Sequence, residues 1–437
     1  MKKQESMVRI ATCAIFCITI AFAMQAPAQT ETTIYKFHWN TDGAWPMATL
    51  TTDKAGNLYG TTFEGGGSVN CGFDTNMPWG CGTVFEVTAP TKESPSWKEA
   101  PIYVFTNTGD GTNPSGGVVF DQAGNLYGVT SYGGTLNGGT LYQLVPPASG
   151  SGPWTENTIY NFSTSNDGYD FPTYVVFDKA GNLYGINVTG PYGGVFELSP
   201  PAGGAGTWTY TQIHTFTGAP NDGGDPLGGL AIDSSGNLYG VTNVGGSSTN
   251  CGSGCGTVYE LSPPSTKGAS WQETILYNFQ GDPDGNYPEG GVLLGNGGNI
   301  YGTTHSGGVN GALYGGYGTV YELAKPQMAG DPWVESVLYS FDGLYSNSGG
   351  GPIGVPIQDA AGNLYGMASP VAFELSPPSM SGEAWTETTL YNFSSWDGVG
   401  EFNSGFSRHN NTLFGVTQGG GICNVHQCNG TVFKVTP

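Results

Sequence analysis

The sequence predicts an all-β protein: a seven-bladed β-propeller of four-stranded antiparallel blades, closed by an N-terminal strand that completes the last blade. Three observations predict it. The phrase Asn-Leu-Tyr-Gly, or a near copy, is written seven times, at Asn57–Gly60, Asn125–Gly128, Asn182–Gly185, Asn237–Gly240, Asn299–Gly302, Asn363–Gly366 and, as Thr-Leu-Phe-Gly, at Thr412–Gly415. Copies follow one another at 49 to 68 residues, the length of one supersecondary unit too small to bury its own apolar face, so neighbouring units must supply the core. The repeat is also out of phase with the chain ends. It opens on Thr33-Ile34-Tyr35-Lys36-Phe37, which reads as a fourth strand, and closes on Gly430–Val435, which reads as a third.

In chain order, residues 1–28 read as a secretory signal peptide. Lys2, Lys3 and Arg9 form a basic start, Ile10 to Met24 is apolar, and Ala26-Pro27-Ala28 is a small-x-small cleavage site. The apolar run is ~15 residues, short of the roughly 20 that span a bilayer. No transmembrane segment is expected, and residues 29–437 form one propeller domain. The expected location is secreted, periplasmic or cell-surface, after cleavage near Ala28.

Each unit contains four short candidate strands. In the second copy they are Gly117–Asp121, Asn125–Thr130, Gly139–Leu144 and Thr158–Phe162, all rich in β-branched and aromatic residues and bounded by turn formers. The first two are joined by an Asp-x-x-Gly hairpin that recurs at Asp53–Gly56, Asp121–Gly124, Asp178–Gly181, Asp233–Gly236 and Asp359–Gly362. Nothing beyond the signal shows helical periodicity. If residues 33–37 fill the vacant fourth position of the last unit, the ring closes without an unpaired edge. An open solenoid would instead need distinctive capping repeats. Trp97, Trp154, Trp208, Trp271, Trp333 and Trp385 precede successive fourth strands, and one ring per blade at a fixed place predicts packing rather than ligand stacking. The phrase's Tyr is read the same way, with its Gly admitting a neighbouring blade.

The mature cysteines fall in three local pairs, Cys71/Cys81, Cys251/Cys255 and Cys423/Cys428, each between the second and third strands of a unit. In an exported chain these read as loop disulfides, because no unit gathers the four ligands of a structural zinc site.

The run Gly236–Gly240, then Gly256–Leu261, Trp271 and Leu276–Phe279, in an order that recurs over the mature chain, resembles the GloVer (Gloeobacter/Verrucomicrobia) tandem repeat of exported bacterial proteins. The resemblance implies export and a propeller-like array, and it brings no catalytic residues. The Asp-x-x-Gly-Asn-Leu-Tyr turn is also similar to NHL-type propellers.

Charge narrows the partners. The chain carries 12 Lys and Arg against 34 Asp and Glu; without the signal these become 12 − 3 = 9 and 34 − 1 = 33, a net charge of −24. Such a surface repels nucleic acid and anionic headgroups and suits a glycan, a peptide or an envelope protein. An Asp-Gly follows nearly every fourth strand, at Asp42, Asp110, Asp167, Asp222, Asp284, Asp342 and Asp397. As turn formers they close the linkers; as a ring they could bind a cation or basic ligand at the channel mouth. Asp282, Asp284 and Asn286 present oxygens at alternate positions, as a calcium loop begins, but without the loop's Gly and terminal acid. No other cofactor is expected. His38, His214, His305, His409 and His426 fit no ligand spacing, no nucleophile elbow or phosphate loop occurs, and no catalytic residue is assigned. The expected function is an exported non-catalytic binding module using the loop face. Its alternatives are a carbohydrate-active or lyase-type enzyme and a structural envelope component.

Overall fold

The computed structural model describes residues 31–71, 79–148, 150, 152–163, 174–187, 190–204, 206–266, 268–309, 316–328, 330–343, 348–380, 382–394, 404–423 and 428–437. The signal segment lies outside them. Among the described residues there is no helix, and hence none long and apolar enough to cross a membrane. Seven antiparallel sheets form the blades of a propeller. Blade 4 shows the plan: Gly223–Ile232 lies innermost, followed outward by Leu238–Gly245, Thr257–Ser262 and Gln272–Asn278. Blade 1 splits its inner position between Ala44–Pro46 and Thr51–Thr52, both paired with Leu58–Glu64.

The ring closes as the repeat phase requires. Glu31–Lys36 pairs antiparallel with Thr431–Val435, Glu31 opposite Val435 and Lys36 opposite Thr431. The outermost strand of blade 7 therefore comes from the N-terminal end of the domain, and the last blade has no missing position. The disulfides join Cys71 to Cys81, Cys251 to Cys255 and Cys423 to Cys428, as the spacing predicts.

The core is divided among seven seams, each between two blades, and the repeated phrase explains why. Successive strand residues face opposite sides. Leu58 thus packs in the seam with blade 7 and Tyr59 in the seam with blade 2, while Leu238 and Tyr239 do the same on either side of blade 4. One dipeptide supports two interfaces, and each buried ring or Leu contributes roughly 1.5–3 kcal/mol. The half-buried tryptophans cap these seams: Trp154 meets Tyr59 at 6.3 Å, Trp208 meets Tyr127 at 6.2 Å and Trp271 meets Tyr184 at 5.6 Å, between ring centroids. The glycine of the phrase has a different role from the one expected. A Cβ on Gly60 would lie 2.5 Å from Phe85, and one on Gly240 would lie 2.4 Å from Tyr259. In both cases the ring belongs to the third strand of the same blade, directly opposite in register, so the glycine makes room within a blade rather than between blades.

The Asp-x-x-Gly turns are hydrogen-bonded units. Asp53 Oδ1 accepts from Ala55 N and Asn57 N, each at 2.9 Å, Oδ2 accepts from Asn57 Nδ2, and Gly56 takes the positive φ the hairpin needs. The third-strand glutamates find side-chain partners: Glu86 accepts from Tyr59 Oη at 3.0 Å, Glu322 from Tyr301 Oη at 2.8 Å and Asn299 Nδ2 at 2.7 Å, and Glu260 from Ser262 Oγ at 2.9 Å.

Candidate functional site

On the linker face three seams are built from the same parts. The fourth strand of one blade supplies a Tyr, the Asp-Gly linker supplies a carboxylate, and the fourth strand of the next blade supplies a Glu. Between blades 4 and 5, Asp284 Oδ2 accepts from Tyr277 Oη at 3.0 Å and from Gln280 N at 2.8 Å. Between blades 1 and 2, Asp110 Oδ2 accepts from Tyr103 Oη at 3.0 Å and from Thr106 N at 2.8 Å. Between blades 7 and 1, Asp42 accepts from Tyr35 Oη, His38 N and His38 Nδ1. The arriving glutamates lie in low dielectric beside a like charge. Burial, reinforced by Asp42, lifts Glu99 to about 8, and burial with Asp284 lifts Glu335 to about 7.

The linker aspartates are therefore engaged locally. Asp42, Asp110 and Asp222 are buried and bonded within their own linkers, Asp284 is half-buried, and Asp342 is exposed. Asp167 and Asp397 lie outside the described residues. Of the calcium-loop positions, Asp282 is exposed, Asp284 is held as above, and Asp284 Oδ1 and Asn286 Oδ1 are buried without a hydrogen-bond partner.

One seam departs from the plan at its tyrosine. Where other fourth strands write Tyr, blade 3 writes His214. Its Nε2 lies 3.6 Å from Glu273 Oε2 of blade 4 and 4.0 Å from Asp222 Oδ2 of the linker. The three groups offer donor atoms all within 4.8 Å of one another. Asp222 is fixed by Thr217 N at 2.7 Å, Thr217 Oγ1 at 2.9 Å and Gly223 N at 2.6 Å. His214 Nε2 and Glu273 Oε1 are buried and have no hydrogen-bond partner. Burial lowers the His214 pKa, while burial and Asp222 lift Glu273 to about 8. The histidines fit no ligand spacing along the sequence, yet the structure brings His214 together with Asp222 and Glu273 as a candidate metal-binding triad. The set is assembled from two blades and a linker, so no local spacing announces it; the single break in the Tyr column was its only sequence signal.

The second feature is a cavity of about 640 Å³ on the propeller axis, lined from all seven blades. Its walls are set by a recurrent proline. The Cδ atoms of Pro46, Pro114, Pro226, Pro288 and Pro352 lie 2.5–2.7 Å from where a Cβ would stand on Gly430, Gly82, Gly193, Gly256 and Gly318, so only glycine permits the contact. The residue after each proline lines the cavity: Met47, Ser115, Leu227, Glu289 and Ile353. Tyr174, hydrogen-bonded to Thr49, and His305 complete its polar lining, with Ile357 and Phe406 adding apolar wall. None of the five described linker aspartates is among its lining residues.

The family model described as the Gloeobacter/Verrucomicrobia repeat matches residues 18–191, 73–310 and 189–433. No curated protein matches the sequence. Among solved structures, a polysaccharide lyase of the PL25 ulvan lyase family is 11% identical, covering 91% of this chain and 95% of its own at a TM-score of 0.47. The pyranose dehydrogenase PQQ domain of Coprinopsis cinerea is 13% identical, with 78% and 93% covered and a TM-score of 0.38. A Carbohydrate-Active Enzymes Family AA12 protein of Trichoderma reesei is 12% identical, with 94% and 96% covered at 0.37. No residue role transfers from them.

Proposed function

The chain belongs to the Gloeobacter/Verrucomicrobia repeat family, and we propose that it is an exported, non-catalytic binding module whose ligand enters the axial cavity from the linker face. The observation that carries this reading is the lining itself. The fold repeats down to the proline that positions the wall, and the next residue is then free to vary: Met47, Ser115, Leu227, Glu289, Ile353. Variation confined to one ring of positions on a rigid scaffold is what selectivity for an asymmetric ligand requires. The apolar walls and the acidic surface favour a neutral glycan or an uncharged or basic peptide over a polyanion.

The test is a glycan and peptide array at millimolar calcium, followed by calorimetry with any ligand found. Leu227→Trp, which fills the cavity from its wall, is expected to abolish binding without changing the melting temperature by more than a few degrees. Unaltered binding by that variant removes the cavity from consideration. A second reading, a carbohydrate-active enzyme, is favoured by one observation: Glu289 and His305, both of blade 5, line the same cavity and could serve as an acid–base pair. It predicts turnover of a polysaccharide that Glu289→Gln and His305→Asn each reduce at least a hundredfold.

A further inference from the structure

We propose that His214, Asp222 and Glu273 form a site for one divalent first-row transition ion that joins blade 3 to blade 4. The donor set is one imidazole nitrogen and two carboxylates, which suits Zn²⁺ and its neighbours, whereas the imidazole disfavours calcium. The spacing is close to what coordination needs. Zn–N and Zn–O bonds of about 2.0–2.2 Å place tetrahedral ligands roughly 3.4 Å apart, against observed separations of 3.6 and 4.0 Å from His214 Nε2 to the two carboxylates. Movements of a few tenths of an ångström complete it.

Two further observations point to a ligand. First, His214 Nε2 and Glu273 Oε1 are donors shut off from solvent with nothing to bond, and an ion between them would satisfy both. Second, Asp222 is already oriented by the amide and hydroxyl of Thr217 and by the Gly223 amide, as the outer partners of a metal ligand usually do. The substitution is also specific. Tyr35, Tyr103 and Tyr277 donate a hydroxyl proton to the linker Asp at their seams, so those sites are closed by hydrogen bonds, while His214 brings a lone pair to the same place. The fourth coordination position is left for water or an external ligand, and the placement across a seam makes stapling the primary consequence.

The experiment uses the mature full chain, stripped with a chelator and dialysed. Calorimetry with Zn²⁺ is expected to show one equivalent bound per chain, and Co²⁺ to give the visible d–d absorption of a low-coordinate site. Zn²⁺ is expected to raise the melting temperature. His214→Tyr, which writes into blade 3 the residue its neighbours carry, is expected to stay folded by circular dichroism and to lose the equivalent, the Co²⁺ spectrum and the thermal shift. Glu273→Gln is expected to weaken Zn²⁺ binding at least tenfold. Equal Zn²⁺ uptake by wild type and His214→Tyr, or no uptake by wild type, would overturn the proposal.

Discussion

The seam between blades 3 and 4 and the seam between blades 4 and 5 both bring a linker Asp to a Glu of the next blade, and they differ in the fourth-strand side chain that meets them. At the second, Tyr277 donates a hydrogen bond to Asp284, and Glu335 stands by with its pKa raised to about 7. At the first, His214 stands in the tyrosine's place with Nε2 unpartnered and turned toward two carboxylates. The comparison separates what a repeat specifies from what a single residue specifies. The repeat fixes where a carboxylate, an aromatic and a glutamate converge; the identity of the aromatic decides whether the cluster closes on itself or needs something else to close it.

The harshest test applies to the seam whose Tyr comes from the other end of the chain. Tyr35 belongs to the strand that completes blade 7, so removing residues 29–38 takes away both a sheet partner and the donor to Asp42. Blade 7 would then expose the edge of Thr431–Val435, and the blade 7/1 seam would lose Ile34, Tyr35 and Phe37. The expected result is loss of the cooperative thermal transition, measured by calorimetry. A melting temperature within a few degrees of wild type would show that ring closure contributes little.

Next in size is Asp284→Ala. It leaves the Tyr277 hydroxyl and the Gln280 amide without their acceptor, which costs about 2–4 kcal/mol in chemical denaturation. A loss below about 0.5 kcal/mol would mean that solvent replaces the carboxylate and that the linker aspartates are dispensable.

Much of this architecture was legible in the sequence, because repetition reports structure directly. Seven copies of one phrase gave the blade count, and the misplaced fourth strand at Thr33–Phe37 gave the closure. The local cysteine pairs needed only their positions in the repeat. What stayed hidden depends on distance in space. Glu99 meets Asp42 across the seam between blade 7 and blade 1, and Glu273 lies 59 residues beyond His214, so their mutual effects follow from blade packing and not from any window of sequence. The role of the phrase's glycine was misjudged for the same reason: Gly60 faces Phe85 through cross-strand register, which the residue type alone does not reveal.

A smaller effect is expected from writing the exception into the regular seam. Tyr277→His removes the donor to Asp284 and places an imidazole beside Asp284 and Glu335. In chelator-treated protein this is expected to cost about 1–3 kcal/mol. Zn²⁺ should recover part of that loss and raise the stoichiometry from one equivalent to two. Stoichiometry unchanged from wild type would show that the geometry of the blade 3/4 seam, and not only its histidine, creates the affinity.

The finest test concerns pH at the regular seam. Glu335 titrates at about 7 in the folded chain against an ordinary value of 4.5, because burial and then Asp284 oppose its charge. Between those values the folded state holds a proton that the unfolded state has released, so this group's contribution to stability falls as pH rises. The contribution is whole below about 4.5 and lost once pH passes about 7. Glu335→Gln keeps a neutral side chain at every pH, and Asp284 still has Tyr277 and Gln280 to bond it. Wild type and variant should therefore melt together near pH 4.5, with the variant increasingly the more stable up to about pH 8. Net charge does not produce that divergence, since self-repulsion of so acidic a chain acts almost equally on both proteins. Parallel profiles across the range would mean that solvent screens Glu335 well enough to leave it at its ordinary pKa, and that the carboxylates of this seam meet in geometry but not in energy.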